Sequence, residues 1–232
     1  MKFLDEPMRS YYIEKYPIQS LFSFPIISYI QVCQFDRGEF ILKEDSNPEY
    51  IYYLVEGKAK LYVTHSNGKV SLINFLEAPI FVGEIELLNS ERYSKGIQTA
   101  TQTTCFAIPI HLCKDNLLKD ATFLRYLCIF ISQKMTTIST KYTQSQAFPL
   151  ENRLAEFILL SADQDFYKEK HTEVCEYLGV SYRHLLHVLA QFCKVNIIEK
   201  KSRGYIIRDK ERLQELAKEV KLNYHTENFK AY

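Results

Sequence analysis

Four side chains that can donate hydrogen bonds to a nucleic acid crowd into one short stretch: Tyr182, Arg183, His184 and His187. Arginine can donate two bonds to the O6 and N7 atoms of guanine, and histidine and tyrosine can donate to bases or phosphates. Ser181, just before them, is a residue type that favours the N-cap of a helix. The spacing therefore predicts a helix whose first turns carry groups that contact bases and phosphates.

The elements that would position these groups are two short amphipathic helices joined at Gly179. Val174 and Leu178 form an apolar stripe on the first helix, and Leu185 and Leu189 continue it on the second. Glycine tolerates the left-handed backbone that a tight turn between crossed helices requires. The pattern predicts a helix-turn-helix, although a helical hairpin inside a packed core would show the same apolar spacing.

A local excess of positive charge favours the DNA-binding alternative. The segment from Ile197 to Arg208 predicts two strands around a turn with Gly204, and its tip would form a wing. Between Ser181 and Arg208 lies one acid, Glu199, against six basic residues: Arg183, Lys194, Lys200, Lys201, Arg203 and Arg208. Because the whole chain carries only +1, this basic face is specific to the segment. We expect Lys200, Lys201 and Arg203 to contact phosphates.

Composition excludes several other classes of protein. The 232 residues are 47% hydrophobic, enough for one large or two small domains. No apolar run approaches the length of about 20 residues that spans a bilayer, and Met1-Lys-Phe-Leu-Asp-Glu lacks the order of a signal peptide, so we expect a cytoplasmic protein without membrane contact. We find no P-loop, no Gly-x-Ser-x-Gly and no spaced carboxylate pair, which disfavours an enzyme. His184 and His187 could share a metal ion, but no third ligand is evident, so no metal site is predicted.

The first half of the chain predicts strands. Eight runs rich in β-branched and aromatic residues occur at short intervals between Tyr29 and Ile110. These runs are residues 30–35, 40–42, 50–55, 58–64, 70–75, 80–82, 97–100 and 105–110. Their number and spacing predict an antiparallel barrel or jelly roll.

After Ile110 the apolar period becomes that of a helix, predicted from Asn116 to Tyr142, about 40 Å long. Apolar residues recur alternately four and three apart along it, which favours a coiled-coil dimer over a helix packed on its own barrel. The seam residues predicted at the dimer interface are Leu124, Cys128, Ile131, Met135, Ile138 and Tyr142. Phe148-Pro149 ends the pattern. We therefore expect an α+β chain with a sensor domain at 1–112, a dimerisation helix at 113–147 and a DNA-binding domain at 148–232.

This order of parts, with Gly83-Glu84, Arg153-Leu-Ala and Leu178-Gly-Val-Ser181, resembles the CRP/FNR family of bacterial transcription regulators over nearly the entire chain, most closely its YeiL-type branch. The resemblance implies a homodimer with an N-terminal cyclic-nucleotide-binding-like β-roll and a C-terminal winged helix-turn-helix. It also implies a palindromic operator in double-stranded DNA and RNA polymerase as a further partner. Whether the protein activates or represses, and which genes it controls, stays open.

The recognition helix departs from the family pattern, which begins Ser-Arg-Glu and has an arginine six residues after the serine. Here Tyr182 and Arg183 follow Ser181, and His187 stands at the later position. The usual half-site therefore cannot be assumed. We expect Arg183 to contact a base, His184 and His187 to contact bases or phosphates, and Tyr182 to contact the backbone or a thymine methyl group.

The resemblance leaves the effector open. Gly83 and Glu84 match the pair that holds the phosphate and ribose in cyclic-nucleotide members, but Arg92 is offset by one from the family arginine, with Lys95 nearby. Ser139 and Thr140 lie where relatives contact the adenine, so a cyclic nucleotide is one alternative. The offset favours another ligand or none.

Redox sensing is the other alternative. No cysteine precedes Cys33, which disfavours an FNR-type iron-sulfur cluster. Cys105, Cys113 and Cys128 could form a thiol switch, but buried reduced thiols are the favoured interpretation.

Overall fold

The computed structural model describes residues 1–68, 70–89 and 95–220, and in these ranges the chain forms two compact units. The N-terminal unit is Met1–Lys134, and the C-terminal unit begins at Met135. Both units contain helices and strands, which confirms the predicted α+β class. In the described ranges no helix has the length and apolar character needed to cross a membrane.

Strands dominate the N-terminal unit and form two antiparallel sheets. Their order is β1-β2-β9-β4-β7 in one sheet and β3-β8-β5-β6 in the other. The strands are β1 (Lys2–Phe3), β2 (Gln31–Phe35), β3 (Phe40–Leu42), β4 (Tyr50–Glu56), β5 (Lys58–Thr64), β6 (Val70–Glu77), β7 (Ile80–Val82), β8 (Gly96–Thr99) and β9 (Thr103–Pro109). Each of the eight predicted strands overlaps one of these, so the jelly-roll prediction is confirmed.

The five-stranded sheet is buried on both faces. Phe35, Leu54 and Cys105 pack on one face in a core shared with the second sheet, whereas Ile51 and Phe106 pack on the other face against helices. All seven residues of β9 are buried as a result. A strand covered on both sides loses the alternation of polar and apolar residues, and its sequence becomes an almost continuous apolar run.

Four helices begin in the N-terminal unit: α1 (Glu6–Lys15), α2 (Glu84–Leu88), α3 (Ile110–Lys119) and α4 (Ala121–Ala147). The boundary between the two units falls within α4. The helices supply Tyr12, Leu117, Phe123 and Leu127 to the core on the outer face of the five-stranded sheet. These side chains are large and apolar, and their burial fixes the helices on the sheet.

The single helix predicted from Asn116 to Tyr142 is wrong, because the chain breaks at Asp120. The backbone of Asp120 leaves the helical region (ψ 104°), so α3 and α4 are separate helices. Leu117, which lies one heptad before the seam residue Leu124, is in α3 and is fully buried. The seam therefore begins only in α4.

The Asp120 carboxylate stabilises this break. It accepts hydrogen bonds from the backbone N–H groups of Thr122 (2.9 Å) and Phe123 (3.4 Å), which open α4. It also accepts bonds from the N–H (2.7 Å) and hydroxyl (2.8 Å) of Ser23. Burial acts to raise the pKa of Asp120, but these bonds outweigh it and hold that pKa below its ordinary value.

The C-terminal unit contains a three-stranded antiparallel sheet, in the order β10-β12-β11, and a set of short helices. Its core includes Leu154, Phe157, Leu185 and Leu213. The elements are α5 (Leu150–Ser161), β10 (Phe166–Tyr167), α6 (His171–Leu178), α7 (Tyr182–Lys194), β11 (Ile198–Lys201), β12 (Gly204–Ile207) and α8 (Lys210–Val220). The predicted helix-turn-helix is α6 and α7, and the predicted wing is β11 and β12.

Candidate nucleic-acid interface

The turn between α6 and α7 has the backbone that the sequence predicted. Gly179 adopts the left-handed conformation (φ 65°, ψ 40°) and closes α6 with its N–H group on the Glu176 carbonyl (3.3 Å). The N–H of Val180 bonds the Cys175 carbonyl (3.0 Å). Ser181 then caps α7, because its hydroxyl oxygen accepts a hydrogen bond from the backbone N–H of His184 (3.3 Å).

The two faces of α7 are sharply different. Its apolar side chains, Leu185, Val188, Leu189 and Phe192, are buried in the C-terminal unit. The predicted contact residues Tyr182, Arg183, His184 and His187 are all exposed. The first turns of α7 therefore present hydrogen-bond donors to solvent, as a helix in a major groove requires.

The exposed residues of α7 differ in their partners. Among the described residues, Arg183 and the side chain of His184 have no hydrogen-bonding or ion-pair partner. His187 Nε2 lies 3.1 Å from Gln191 Nε2, so part of its hydrogen-bonding capacity is already used. The Tyr182 ring lies 5.9 Å from the ring of His171. Arg183 and His184 are consequently the two groups whose donors are most available to a base.

The wing is a hairpin in which Lys201 pairs with Gly204, and Ser202 and Arg203 form its tip. Lys200 and Arg203 are exposed and form no ion pair within the described ranges. Both could approach a phosphate without giving up an existing partner.

Glu199 neutralises part of the basic face. Its carboxylate forms ion pairs with Lys201 and with Arg208, whose Nε lies 2.7 Å from Glu199 Oε2. These contacts, from Lys201 first and then Arg208, hold the pKa of Glu199 below its ordinary value. Two of the six basic residues in the segment, Lys201 and Arg208, are therefore paired with Glu199, and Lys201 is a weaker candidate contact than Lys200 or Arg203.

The sequence interpretation missed residues that border the wing. A surface cleft of about 240 Å³ lies beside β11 and β12 and is lined by Lys168, Glu169 and His171 together with residues 200–205. These three residues precede or open α6, where the sequence shows no periodic signal. Lys168 and His171, close in sequence to the predicted helix-turn-helix, were the available clue.

The side chain of Glu84, predicted as a ligand-binding residue, already forms an ion pair with a residue of the same chain. It follows Gly83, whose φ of 92° requires glycine, and its side chain is only 3% exposed. Lys134 Nζ donates to its Oε1 at 2.6 Å. Lys134, from α4, was missed because it lies 50 residues away in sequence.

A pocket formed by the other predicted residues stays a prediction. Arg92 lies outside the described residues, and Lys95 is exposed. Ser139 and Thr140 belong to the part of α4 in the C-terminal unit.

The predicted dimer seam lies on α4 with several apolar residues facing solvent. Met135 and Tyr142 are each 67% exposed, and Cys128 is exposed as well. Leu124 and Ile131 are half-buried, and the side chain of Ile138 lies outside the described residues.

The six cysteines differ in burial: Cys33, Cys105 and Cys113 are buried, Cys175 and Cys193 are half-buried, and Cys128 is exposed. The favoured interpretation of buried thiols therefore holds for Cys105 and Cys113 but is wrong for Cys128 within this chain. Burial raises the pKa of Cys113 to about 11, which keeps that thiol protonated and unreactive. Within the described part of the chain, no three His, Cys, Asp or Glu side chains are grouped to hold a metal ion.

Comparison with known proteins agrees with this arrangement. The model of the cyclic nucleotide-binding domain family matches residues 32–115, and that of the Crp-like helix-turn-helix domain family matches residues 152–216. The chain is 46% identical over 182 residues to regulatory protein YeiL of Escherichia coli O157:H7, an alignment that covers 78% of this chain and 83% of that protein.

Two solved structures share the fold. A transcriptional regulator of the CRP/FNR family from Eubacterium rectale superposes with a TM-score of 0.73 at 15% identity, over 88% of this chain and 99% of that one. A CRP/FNR-family transcriptional regulator from Thermus thermophilus has a TM-score of 0.63 at 19% identity, over 81% and 98% of the two chains. From the helix-turn-helix, the two domain matches and the relationship to YeiL, we conclude that the chain belongs to the CRP/FNR family of transcription regulators.

Proposed function

We propose that the protein is a cytoplasmic homodimer that binds an approximately palindromic operator through α7 of each copy, with RNA polymerase as a further partner and without enzymatic activity. The carrying observation is the exposed Arg183, which has no partner among the described residues and lies at the start of a capped helix whose opposite face is buried. We assign base contact to Arg183, contacts with bases or phosphates to His184 and His187, and contact with the backbone or a thymine methyl group to Tyr182. Phosphate contacts are assigned to Lys200 and Arg203 and, less strongly, to Lys201.

The exposed apolar side chains of α4 support the homodimer part of this proposal. Exposed apolar side chains at Cys128, Ile129, Met135 and Tyr142 would be costly to leave in water and suit a helix-helix interface. A two-fold axis through such a seam would repeat α7, and palindromic operators place two half-sites about one helical turn apart. We accordingly assign sensing to residues 1–112, dimerisation to 113–147 and DNA binding to 148–232.

For the sensor domain, we propose a ligand other than a cyclic nucleotide, or none. A cyclic nucleotide that used Glu84 would have to displace Lys134 from a carboxylate that is 3% exposed. The competing cyclic-nucleotide function is tested by calorimetry with cyclic AMP and cyclic GMP. Saturable heat that Glu84→Ala abolishes would establish that function and overturn our proposal.

The DNA-binding assignment is tested by selecting bound duplexes from a random-sequence pool and then measuring affinities for the enriched site. We expect Arg183→Ala to weaken binding by about 1–3 kcal/mol and to relax sequence preference, because a base contact is lost. Lys200→Ala should weaken binding to all sequences alike. Unchanged binding in both variants, or a monomer at micromolar concentration by sedimentation, would contradict the proposal.

A further inference from the structure

The surface cleft beside the wing, called here the wing cleft, collects positive charge from two separate segments. Lys168 comes from the segment after β10, and Lys200, Lys201 and Arg203 come from the wing hairpin. Lys201 is held by Glu199, but Lys168, Lys200 and Arg203 form no ion pair within the described ranges. The cleft is polar, open to solvent and wide enough for a phosphate group, with a volume of about 240 Å³.

His171 lies in the wall of the wing cleft, where three elements of the DNA-binding unit meet. It is the first residue of α6 and is half-buried. Its Nε2 lies 3.4 Å from the hydroxyl oxygen of Tyr205 in β12, and its ring lies 5.9 Å from that of Tyr182 at the start of α7. A change of charge on His171 therefore changes the electrostatic environment of both the wing and the recognition helix.

The charged neighbours of His171 come from its own helix, from the segment before α6 and from β11. On its own helix Glu173 pairs with Lys170 at 3.6 Å, so that carboxylate already has a cation. Lys168 and Glu169 precede α6, and Lys200 faces the cleft from β11. Burial first, and then the positive charge of Lys200, lowers the pKa of His171 below its ordinary value. In free protein near neutral pH, the imidazole is consequently uncharged.

We propose that the wing cleft receives one backbone phosphate of the bound duplex, and that His171 takes up a proton when the phosphate enters. This inference rests on the proposed DNA-binding function. A phosphate places negative charge beside Lys200 and the imidazole. This charge opposes the effect of Lys200 and favours the protonated form of His171. The protonated ring then donates a charge-assisted hydrogen bond to the phosphate or its bridging water.

Proton uptake on binding makes the affinity depend on pH with a definite sign. Because the phosphate raises the proton affinity of His171, the additional binding is fully present at low pH and is lost as pH rises through the titration of the bound histidine. If the pKa of His171 differs by one unit between the DNA-bound and the free protein, the affinity changes by about tenfold. We expect binding to be about three- to tenfold tighter at about pH 6 than at about pH 8.

The experiment uses the full-length protein and a fluorescently labelled mixed-sequence DNA duplex of about three helical turns. Anisotropy titrations at constant salt are run across this pH range, because DNA affinity also depends strongly on salt. His171→Gln should bind as the original protein does at high pH and should lose most of the tightening at low pH. His171→Lys, which carries a permanent charge, should bind tightly at both ends of the range. His111→Gln, a histidine of the N-terminal unit, is the matched control and should keep the full pH dependence.

The two exposed histidines of α7 provide the opposing explanation. If His171→Gln keeps the pH dependence and His184→Gln or His187→Gln removes it, the inference is overturned. Circular dichroism checks that each variant is folded. NMR titration of the His171 ring is independent of these substitutions, and its titration must move to higher pH when the duplex is added; an unmoved titration rejects the inference.

Two further outcomes separate this inference from its premise. If the original protein binds no duplex at any pH, the proposed function itself fails. If it binds with no dependence on pH, only the role of His171 fails. Inorganic phosphate at the same phosphate concentration should leave the His171 titration unchanged, and an equal shift would assign the cleft to a free anion instead of DNA.

Discussion

The contact between Glu84, which is buried, and Lys134, whose side chain is 26% exposed, gives a stability prediction that can be worked out from the structure. Replacing Lys134 by methionine keeps most of the length of the side chain but removes the ammonium group 2.6 Å from the carboxylate. Glu84, at 3% exposure, cannot recover the interaction by turning to water. Breaking one side of a buried ion pair generally costs about 3–5 kcal/mol. The loss in Lys134→Met should therefore be about 3–5 kcal/mol, a large part of the 5–15 kcal/mol typical of domains.

Urea unfolding followed by tyrosine fluorescence measures this loss, since the chain has 17 tyrosines and no tryptophan. Lys58→Met is a matched control, because Lys58 pairs at 3.3 Å with Glu77, whose side chain is 58% exposed. Exposed pairs contribute about 0–1 kcal/mol, so the control should change little. The double variant Glu84→Gln with Lys134→Met should recover most of the stability.

A loss of less than about 1 kcal/mol in Lys134→Met, within the range of a surface pair, would contradict this prediction.

Two other substitutions test the DNA-binding unit. Glu199→Gln should leave Lys201 and Arg208 free to contact phosphates. The slope of log affinity against log salt concentration, measured by anisotropy, should become steeper by about 1–2. An unchanged slope would contradict this prediction. Gly204→Ala should lower the stability of the wing by about 1–3 kcal/mol or more in thermal unfolding, because its Cβ would lie 2.3 Å from a carbonyl oxygen of β10 at φ 153°. Gly179→Ala, with φ 65° and no atom within 4 Å of the new Cβ, is the control and should lose only about 1 kcal/mol; an equal loss in both would count against the steric argument.

Local patterns predicted the elements well because the signals lie within a few residues of one another. The run at Lys58–Thr64 marks a strand, and Gly179 followed by Ser181 marks the end of one helix and the cap of the next. Each depends on backbone preferences that the neighbouring residues do not override.

The failures came from contacts between residues distant in sequence. The break at Asp120 is stabilised partly by a hydrogen bond from Ser23, which is 97 residues away in sequence. Lys134 likewise donates a hydrogen bond to Glu84, which is 50 residues away. An aspartate or lysine in a helical stretch gives no local sign of such a partner. The Lys201–Glu199 pair is local to β11, whereas the pairing of Arg208 with Glu199 depends on the hairpin register.

The small number of available cations connects DNA binding to self-association. With the whole chain at +1, no strong overall field draws the protein to DNA, so binding depends on local contacts. In each copy, Arg183, Lys200 and Arg203 are the predicted contact cations that form no ion pair with described residues. Pairing two copies doubles this set and makes the second half-site contact intramolecular, which multiplies affinity far beyond that of one copy. We therefore expect substitutions in the proposed seam, such as at Met135, to weaken operator binding as substitutions in the recognition helix do.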